Sequence, residues 1–374
     1  MAPSTIPVQD GFGVSSRRIA IMTGGGDCPG LNAAIRAVTR IAVNHFGYEV
    51  IGIRNGFEGL ITNDSVPLAP ANVRGILRVG GTILGSSNRT NPFRYLPNDD
   101  PMAEPIDASD IAWKNFQALG ADTLIVIGGD GTLLLAGMFG DHFGIPVVGI
   151  PKTIDNDVHG TDYAIGFDSA VSVVTDAVDR LHTTAESHHR VLLVEAMGRT
   201  AGWIALYAGV TGGADVVLIP ERPYTVEGIV NAVEKRRKNG HRFTIAVVAE
   251  GVNAPDGRHV FKATAGEAHR WRLGGVTSQI EAVLNAELDQ EVRSLVLGHL
   301  QRGGSPTPFD RALATQLGAK AIQTVADGGG NVVVGIQGLS IVTSPISMVA
   351  TGPRLVPEDH PMITAGIQMG MYLG

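Results

Sequence analysis

The sequence predicts an α/β protein whose parallel sheets are covered by helices on both faces. Three observations carry this. Short apolar runs of strand length recur along the chain: RIAIM, YEVIGI, TLIVI, PVVGI, RVLLVEA, DVVLI, FTIAVVA and SLVLG. Helical patterns lie between them; Leu31, Ala34, Ile35, Val38, Ile41 and Ala42 follow the i, i+3, i+4, i+7 spacing of an amphipathic helix. Glycine-rich stretches stand directly after several runs, where a strand hands over to a helix. Alternation of this kind builds βαβ units, and strands buried on both faces read as continuous apolar segments. Ligands of such sheets gather at the carboxyl ends of the strands, so the stretches that follow the runs are the place to look for chemistry.

Composition narrows the class. A chain of 374 residues can bury a large core, and its length favours two or three lobes. The 44% apolar content is that of a globular protein. With 29 Lys+Arg against 36 Asp+Glu, the chain lacks the broad basic footprint of a nucleic-acid binder, so any anion site is local. The single cysteine, Cys28, excludes an intrachain disulfide framework and a cysteine-rich zinc site, and a reducing cytoplasm is the simplest setting. Residues 1–17 are polar, with Pro and Gly, and read as a loose arm rather than a signal peptide. No run of about 18 apolar residues is present, which argues against a membrane span. No repeat of fixed period is visible.

Three stretches could carry phosphate chemistry. TGGGDCPGLN, residues 23–32, lies between RIAIM and the helix beginning near Leu31. Glycines let a ligand approach the backbone, and the following helix offers unpaired N–H groups. It matches neither the Walker A nor the Rossmann pattern, and alone it reads equally well as a plain turn. IGGDGT repeats the arrangement after TLIVI with Gly128, Gly129, Asp130, Gly131 and Thr132. A carboxylate beside phosphates repels them unless a cation lies between, which points to Mg²⁺ bound by Asp130 and phosphate oxygens. In PKTIDNDV, residues 151–158, Asp155 and Asp157 are two apart, a spacing that sets both on one side if the segment is extended. One could accept a proton while the other positions it or works with the metal; the alternative is a pair of turn-capping aspartates.

Together the blocks TGGGDCPGLNAAIR, GGDGT, PKTIDND, GFDSA, ESHHR, MGRTAGW, AEG and LGHLQRGGSP, in this order across residues 18–325, resemble the 6-phosphofructokinase family. TGGGDCPGLN and TTAESHHR are similar to its bacterial mixed-substrate subfamily, which uses ATP or pyrophosphate. The resemblance implies two three-layer α/β/α lobes, a homodimer or homotetramer, and the glycolytic transfer of phosphate from ATP to the 1-hydroxyl of fructose 6-phosphate. It implies a donor lobe over residues 18–155, a mainly sugar-phosphate-binding lobe over 156–325, and a segment 326–374 packing back across both.

Residue roles follow from the same resemblance. Asp155 matches the general base, with Thr153 and Asp157 as positioning groups and Asp130 as the magnesium carboxylate. The phosphate loops match at Gly25, Gly26, Gly129, Gly131 and Thr132, with Arg89 of GSSNRT set to neutralise donor phosphates. Arg190, Met197, Gly198, Arg199, Glu250, Arg293, His299 and Arg302 match the sugar-phosphate site. Planar guanidinium forks suit a phosphate, and Arg199 matches the group that stabilises charge on the transferring phosphoryl. The counterparts of Arg190 and Arg293 come from a neighbouring subunit; singly, each also reads as a surface ion-pair partner, and His299 as a structural histidine. Trp203 reads as core, and EKRRKNGHR, residues 234–242, as a solvated helix end.

Two positions pull in opposite directions on the donor. Lys152 stands where the common ATP-using bacterial enzymes have glycine and pyrophosphate users have lysine, whereas Gly131 stands where pyrophosphate users usually carry Asp. Arg36 and Arg40 match effector-site positions, but NGHRF, residues 239–243, lacks the lysines expected there. The expected function is thus an ATP-dependent 6-phosphofructokinase, with a pyrophosphate-dependent enzyme second. A catalytically silent sugar-phosphate sensor is the alternative from another class, disfavoured by intact Asp130, Asp155 and Arg199.

Overall fold

The computed structural model describes residues 17–97, 103–263 and 271–374. Residues 1–16 of the expected N-terminal arm lie outside the described residues.

Among the described residues, the first sheet has seven strands in the order β13-β12-β5-β4-β1-β2-β3. These are β1 (Arg18–Thr23), β2 (Glu49–Ile53), β3 (Ser65–Leu68), β4 (Thr123–Gly128), β5 (Val147–Pro151), β12 (Val332–Gln337) and β13 (Ser340–Pro345). The five inner strands are parallel, and β3 and β13 run antiparallel at the edges. Side chains alternate between two cores, as the two-residue period of a strand requires. Ile19, Ile21, Ile125 and Ile127 face α1 (Leu31–Phe46) and α9 (Pro308–Ala326). Ala20, Met22, Leu124 and Val126 face Phe116 of α3 (Ser109–Ala118) and Phe139 of α4 (Asp130–Phe143).

The second sheet is all parallel, in the order β11-β6-β8-β7: β6 (Val191–Ala196), β7 (Val216–Leu218), β8 (Thr244–Ala249) and β11 (Val292–Val296). The long helix α5 (Phe167–His188) and α6 (Trp203–Thr211) cover one face. The helices α7 (Val226–Lys238) and α8 (Val276–Glu287) lie together, with α8 against β6 and β11. The core under α1 and α9 runs on through Phe167, Ala170 and Val174 of α5 into this lobe. A short antiparallel pair, β9 (Phe261–Ala263) with β10 (Trp271–Leu273), stands apart from both sheets.

The chain returns to the first sheet at Pro308, ahead of the boundary at 325 that the sequence suggests, because α9 packs on α1 and the first sheet. Then β12 adds beside β5, while Tyr372 pairs with Val216 of the second sheet and α10 (Pro361–Gln368) lies on α6. The eight apolar runs all carry strands. SLVLG is shifted, since β11 ends at Val296 before the left-handed turn at Gly298 (φ 51°). EKRRKNGHR begins as the basic last turn of α7, where the helix dipole favours cations.

Candidate active site

Strand order creates the site. From β1 the chain runs through α1 to β2, and from β4 through α4 to β5, on opposite sides; β1 and β4 are neighbours. A crevice opens at such a reversal, outside the carboxyl ends of the strands, and both glycine loops emerge there. They are packed into each other. A Cβ on Gly24 would come within 2.5 Å of Thr132, and one on Gly128 within 2.6 Å, so only glycine lets the loops close over the Thr132 side chain. The Gly24 N–H donates to Ile127 O (3.0 Å) and the Gly25 N–H to Ser87 O (2.9 Å), tying the first loop to β4 and to the 82–90 turn. An open cleft of about 360 Å³ remains, lined by Gly25, Gly26, Asp27, Thr82, Gly85, Ser86 and Asn88.

Gly129 precedes α4, so Asp130, Gly131 and Thr132 form its first turn, whose N–H groups point out of the helix. Asp130 is half-buried and Gly131 exposed. Lys152 comes from the end of β5 and is buried; its Nζ donates to Gly26 O, and its N–H donates to Gly128 O (2.9 Å). Burial pushes its ammonium pKa below the usual lysine range.

Asp155 lies beyond it, 4% exposed. Its N–H donates to Thr153 Oγ1 (3.1 Å), which fixes the backbone, and its Oδ2 is 3.7 Å from Arg199 Nε. The other oxygen, Oδ1, is buried without a hydrogen-bond partner. Burial raises the Asp155 pKa, against the opposing pull of Arg199, Arg302 and Lys152. Asp157 is also buried and is pushed up to about 6, by burial first and then by the charges of Asp155 and Asp130.

The second sheet supplies the opposite wall from the carboxyl ends of three adjacent strands. Met197, Gly198 and Arg199 follow β6; Glu250 follows β8; His299 and Arg302 follow β11. Glu250 Oε1 accepts the N–H groups of Gly198 (3.3 Å) and Arg199 (3.0 Å), and burial pushes its pKa up to about 7. Arg199 is left-handed (φ 52°), which turns its exposed guanidinium toward Asp155. The Met197 N–H donates to the buried Gln301 Oε1 (3.2 Å). Arg302 reaches across to the first lobe: its Nη1 donates to Asp27 O (3.1 Å), and a Cβ on Gly26 would collide with it.

The remaining expected residues are Arg190, Arg293, Arg89 and His299. Arg190 precedes β6 and Arg293 is second in β11, so both sit at the amino ends of their strands. The six residues of β6 put about 20 Å between them and the Met197–Arg199 turn. Within the chain both guanidiniums pair with Glu291. Arg89 is exposed, next to the cleft-lining Asn88. His299 is exposed on the short turn that carries Arg302. Asp27, Thr82 and Ser86 line the cleft but were not singled out from the sequence, although the Gly-, Ser- and Thr-rich stretch around Arg89 marked the neighbourhood.

A two-lobed α/β protein with adjoining glycine loops at the strand ends of one lobe, arginines on the wall opposite and a buried aspartate beside Arg199 has the architecture of the phosphoryl-transfer class. The model of the family described as Phosphofructokinase matches residues 18–325, and the chain belongs to that family. It is 44% identical to ATP-dependent 6-phosphofructokinase 3 of Bacteroides thetaiotaomicron, over 96% of this chain and 100% of the relative. It is 48% identical to the pyrophosphate–fructose 6-phosphate 1-phosphotransferase of Streptomyces coelicolor, over 88% of this chain and 93% of the relative. Among solved structures, phosphofructokinase from Saccharomyces cerevisiae superposes with a TM-score of 0.77 at 32% identity, over 90% of this chain and 45% of that one.

Proposed function

We propose that the protein is an ATP-dependent 6-phosphofructokinase that converts fructose 6-phosphate to fructose 1,6-bisphosphate, with Asp155 as general base. The observation that carries this reading is the orphaned Oδ1 of Asp155, buried where the two phosphate loops face the arginine-bearing wall. A buried carboxylate oxygen without a donor is costly, and the 1-hydroxyl of the sugar supplies one. Asp155 takes that proton as the hydroxyl oxygen attacks the γ-phosphorus; the bond to the bridging oxygen breaks, and ADP leaves. Thr153 holds the Asp155 backbone. Arg199 balances charge on the phosphoryl in flight.

The residues present fit magnesium. Asp155 and Asp157 both feel the charge of Asp130, a repulsion that a divalent cation relieves. Among the described residues no group of three or more His, Cys, Asp or Glu side chains forms a dedicated cage. Magnesium shared with phosphates needs only one or two carboxylates, and Asp130, at the mouth of the donor loops, is the one that would hold it. Held by Asp130, such an ion would supply positive charge against the donor phosphates.

Gly25, Gly26, Gly129, Gly131 and Thr132 cradle the donor in this reading, with Arg89 at its rim. Met197, Gly198, Glu250, His299 and Arg302 receive the sugar phosphate. Arg190 and Arg293 complete the site of a neighbouring copy in a homodimer or homotetramer, which agrees with their place far from Asp155 in their own chain. Pyrophosphate is the second reading, favoured by the buried Lys152 beside Gly26. Relatives named for either donor stand at 44–48% identity, so the choice rests on the site, where open space at Gly131 favours the longer donor. Initial rates with each donor at saturating fructose 6-phosphate and magnesium test it; faster turnover with pyrophosphate reverses the assignment.

A further inference from the structure

We propose that Arg354 is a positioning residue that holds the turn between the two aspartates and thereby aims Asp155. This rests on the reading of Asp155 as the base. Asn156, between Asp155 and Asp157, is left-handed (φ 54°) without being glycine. A residue in that region persists only where its surroundings over-determine it. Part of the constraint is local: Asn156 Nδ2 donates to Asp162 O (3.0 Å), and Asn156 Oδ1 accepts the Ala164 N–H (2.8 Å).

The rest comes from a segment nearly 200 residues further along the chain. Arg354 Nη2 donates to Asn156 O (2.8 Å) and to Asp162 O (3.0 Å), closing both ends of the turn with one nitrogen. The Arg354 N–H donates to Asp157 O (2.7 Å). Three carbonyls of the Asn156–Asp162 turn are thus held by one residue.

Arg354 is itself anchored to the opposite lobe. Its guanidinium lies 4.2 Å above the ring of Trp203, the first residue of α6, and its carbonyl accepts the Trp203 Nε1–H (2.8 Å). Two residues on, the Val356 N–H donates to Glu221 Oε1 (3.0 Å), which also accepts the Gly202 N–H. Met197–Arg199 lies just before Trp203 in sequence, so the strap joins the loop that bears the base to the one that bears Arg199. Relative movement of these loops changes the 3.7 Å approach of Arg199 to Asp155. Arg354 makes its hydrogen bonds to backbone carbonyls rather than to that pair, and acts through the backbone.

Arg354→Met removes the guanidinium bonds while keeping side-chain length over Trp203. We expect kcat to fall about 100-fold, the cost of a misaimed catalytic group, while fructose 6-phosphate binds within about twofold of normal by calorimetry. Arg354→Lys, which keeps a cation and one donor nitrogen, recovers part of the loss. Should Arg354→Met fail to fold, Arg354→Lys carries the same test. In an Asp155→Asn background the Arg354→Met change should cost less than about threefold, because no base is left to aim. A folded Arg354→Met enzyme with normal kcat overturns the proposal, as does a full additive loss in the double variant. Near-normal turnover by Asp155→Asn alone removes instead the reading on which it rests, and the positioning role with it.

Discussion

Replacing Gly131 by aspartate separates the two donors with little interference from folding. Gly131 is the second residue of α4, exposed, and a Cβ built there meets nothing within 4 Å. Its φ is not left-handed, so an L-residue is accommodated without strain. Replacing glycine by aspartate, itself a weak helix former, regains about 0.3 kcal/mol. A carboxylate in the first turn adds about 0.3–1 kcal/mol through the helix dipole. The variant should therefore melt at or above the temperature of the unmodified protein. Its effect on the donor has the opposite sign. In the proposed reading the α-phosphate of ATP passes Gly131. One charge pair at about 4 Å and an effective dielectric near 20 repels by about 4 kcal/mol, roughly a thousandfold in affinity. Pyrophosphate ends short of that position, and Lys152 is already in place to meet it.

Initial rates with ATP and with pyrophosphate, at saturating fructose 6-phosphate and magnesium, read the outcome. The expected result is a loss of ATP use by about three orders of magnitude, with pyrophosphate use equal or raised. Gly131→Ala is the control for shape, since it adds a Cβ without charge; it should cost ATP use much less. An unchanged KM for ATP in Gly131→Asp refutes the path assigned to the donor. Equal losses for Ala and Asp refute the electrostatic argument.

Asp155→Asn should lower kcat by about 10²–10⁴-fold while sugar-phosphate binding persists; the raised Asp155 pKa places the acid limb of the rate profile above the ordinary carboxylate range. Arg293→Ala should raise KM for fructose 6-phosphate, and activity should vanish on dilution to monomers; an active monomer contradicts the shared site. Asp157→Asn should stabilise the protein most at alkaline pH. The Asp157 pKa is raised from 3.8 to about 6, so its contribution to stability is complete below about 3.8 and is lost as pH rises through about 6. The difference amounts to about 3 kcal/mol at pH 8, and melting curves of variant and parent that run parallel from pH 5 to 8 would contradict it.

Much of the site was legible because phosphate chemistry restricts residue type. Gly24 and Gly128 must lack a Cβ for Thr132 to fit between them, and the proposed proton acceptor calls for a carboxylate such as Asp155. Strand position was legible too, since most of the eight apolar runs, such as TLIVI, RVLLVEA and FTIAVVA, are buried on both faces of a sheet. The C-terminal hairpin was not read, although VVVGIQ and SIVTSP flank Gly338 and Leu339 with the length of a two-residue turn. An antiparallel hairpin breaks the βαβ alternation on which the reading relied. Strand β3 carries Pro67, which is tolerated only at an edge. The early return of the chain at α9 was hidden because an amphipathic helix does not state which sheet it will cover.

What stayed hidden shares a physical cause. Gln301 and Arg354 act largely through backbone groups, Gln301 on the N–H of Met197 and Arg354 on the carbonyls of Asn156 and Asp162. Every residue except proline offers the same N–H and C=O, so the partner of such a side chain leaves no mark on the sequence. A charged pair can be sought by sign, as Arg199 and Asp155 can. A guanidinium that grips carbonyls can be found only once the fold has brought residue 354 beside residue 156. Arg190 and Arg293 meet the same limit in another form: their charge points to a phosphate, yet the strand register leaves them at the far end of the sheet. Residue type alone fits a phosphate site and a surface ion pair equally for these arginines, and only the family resemblance implies that they serve a neighbouring subunit.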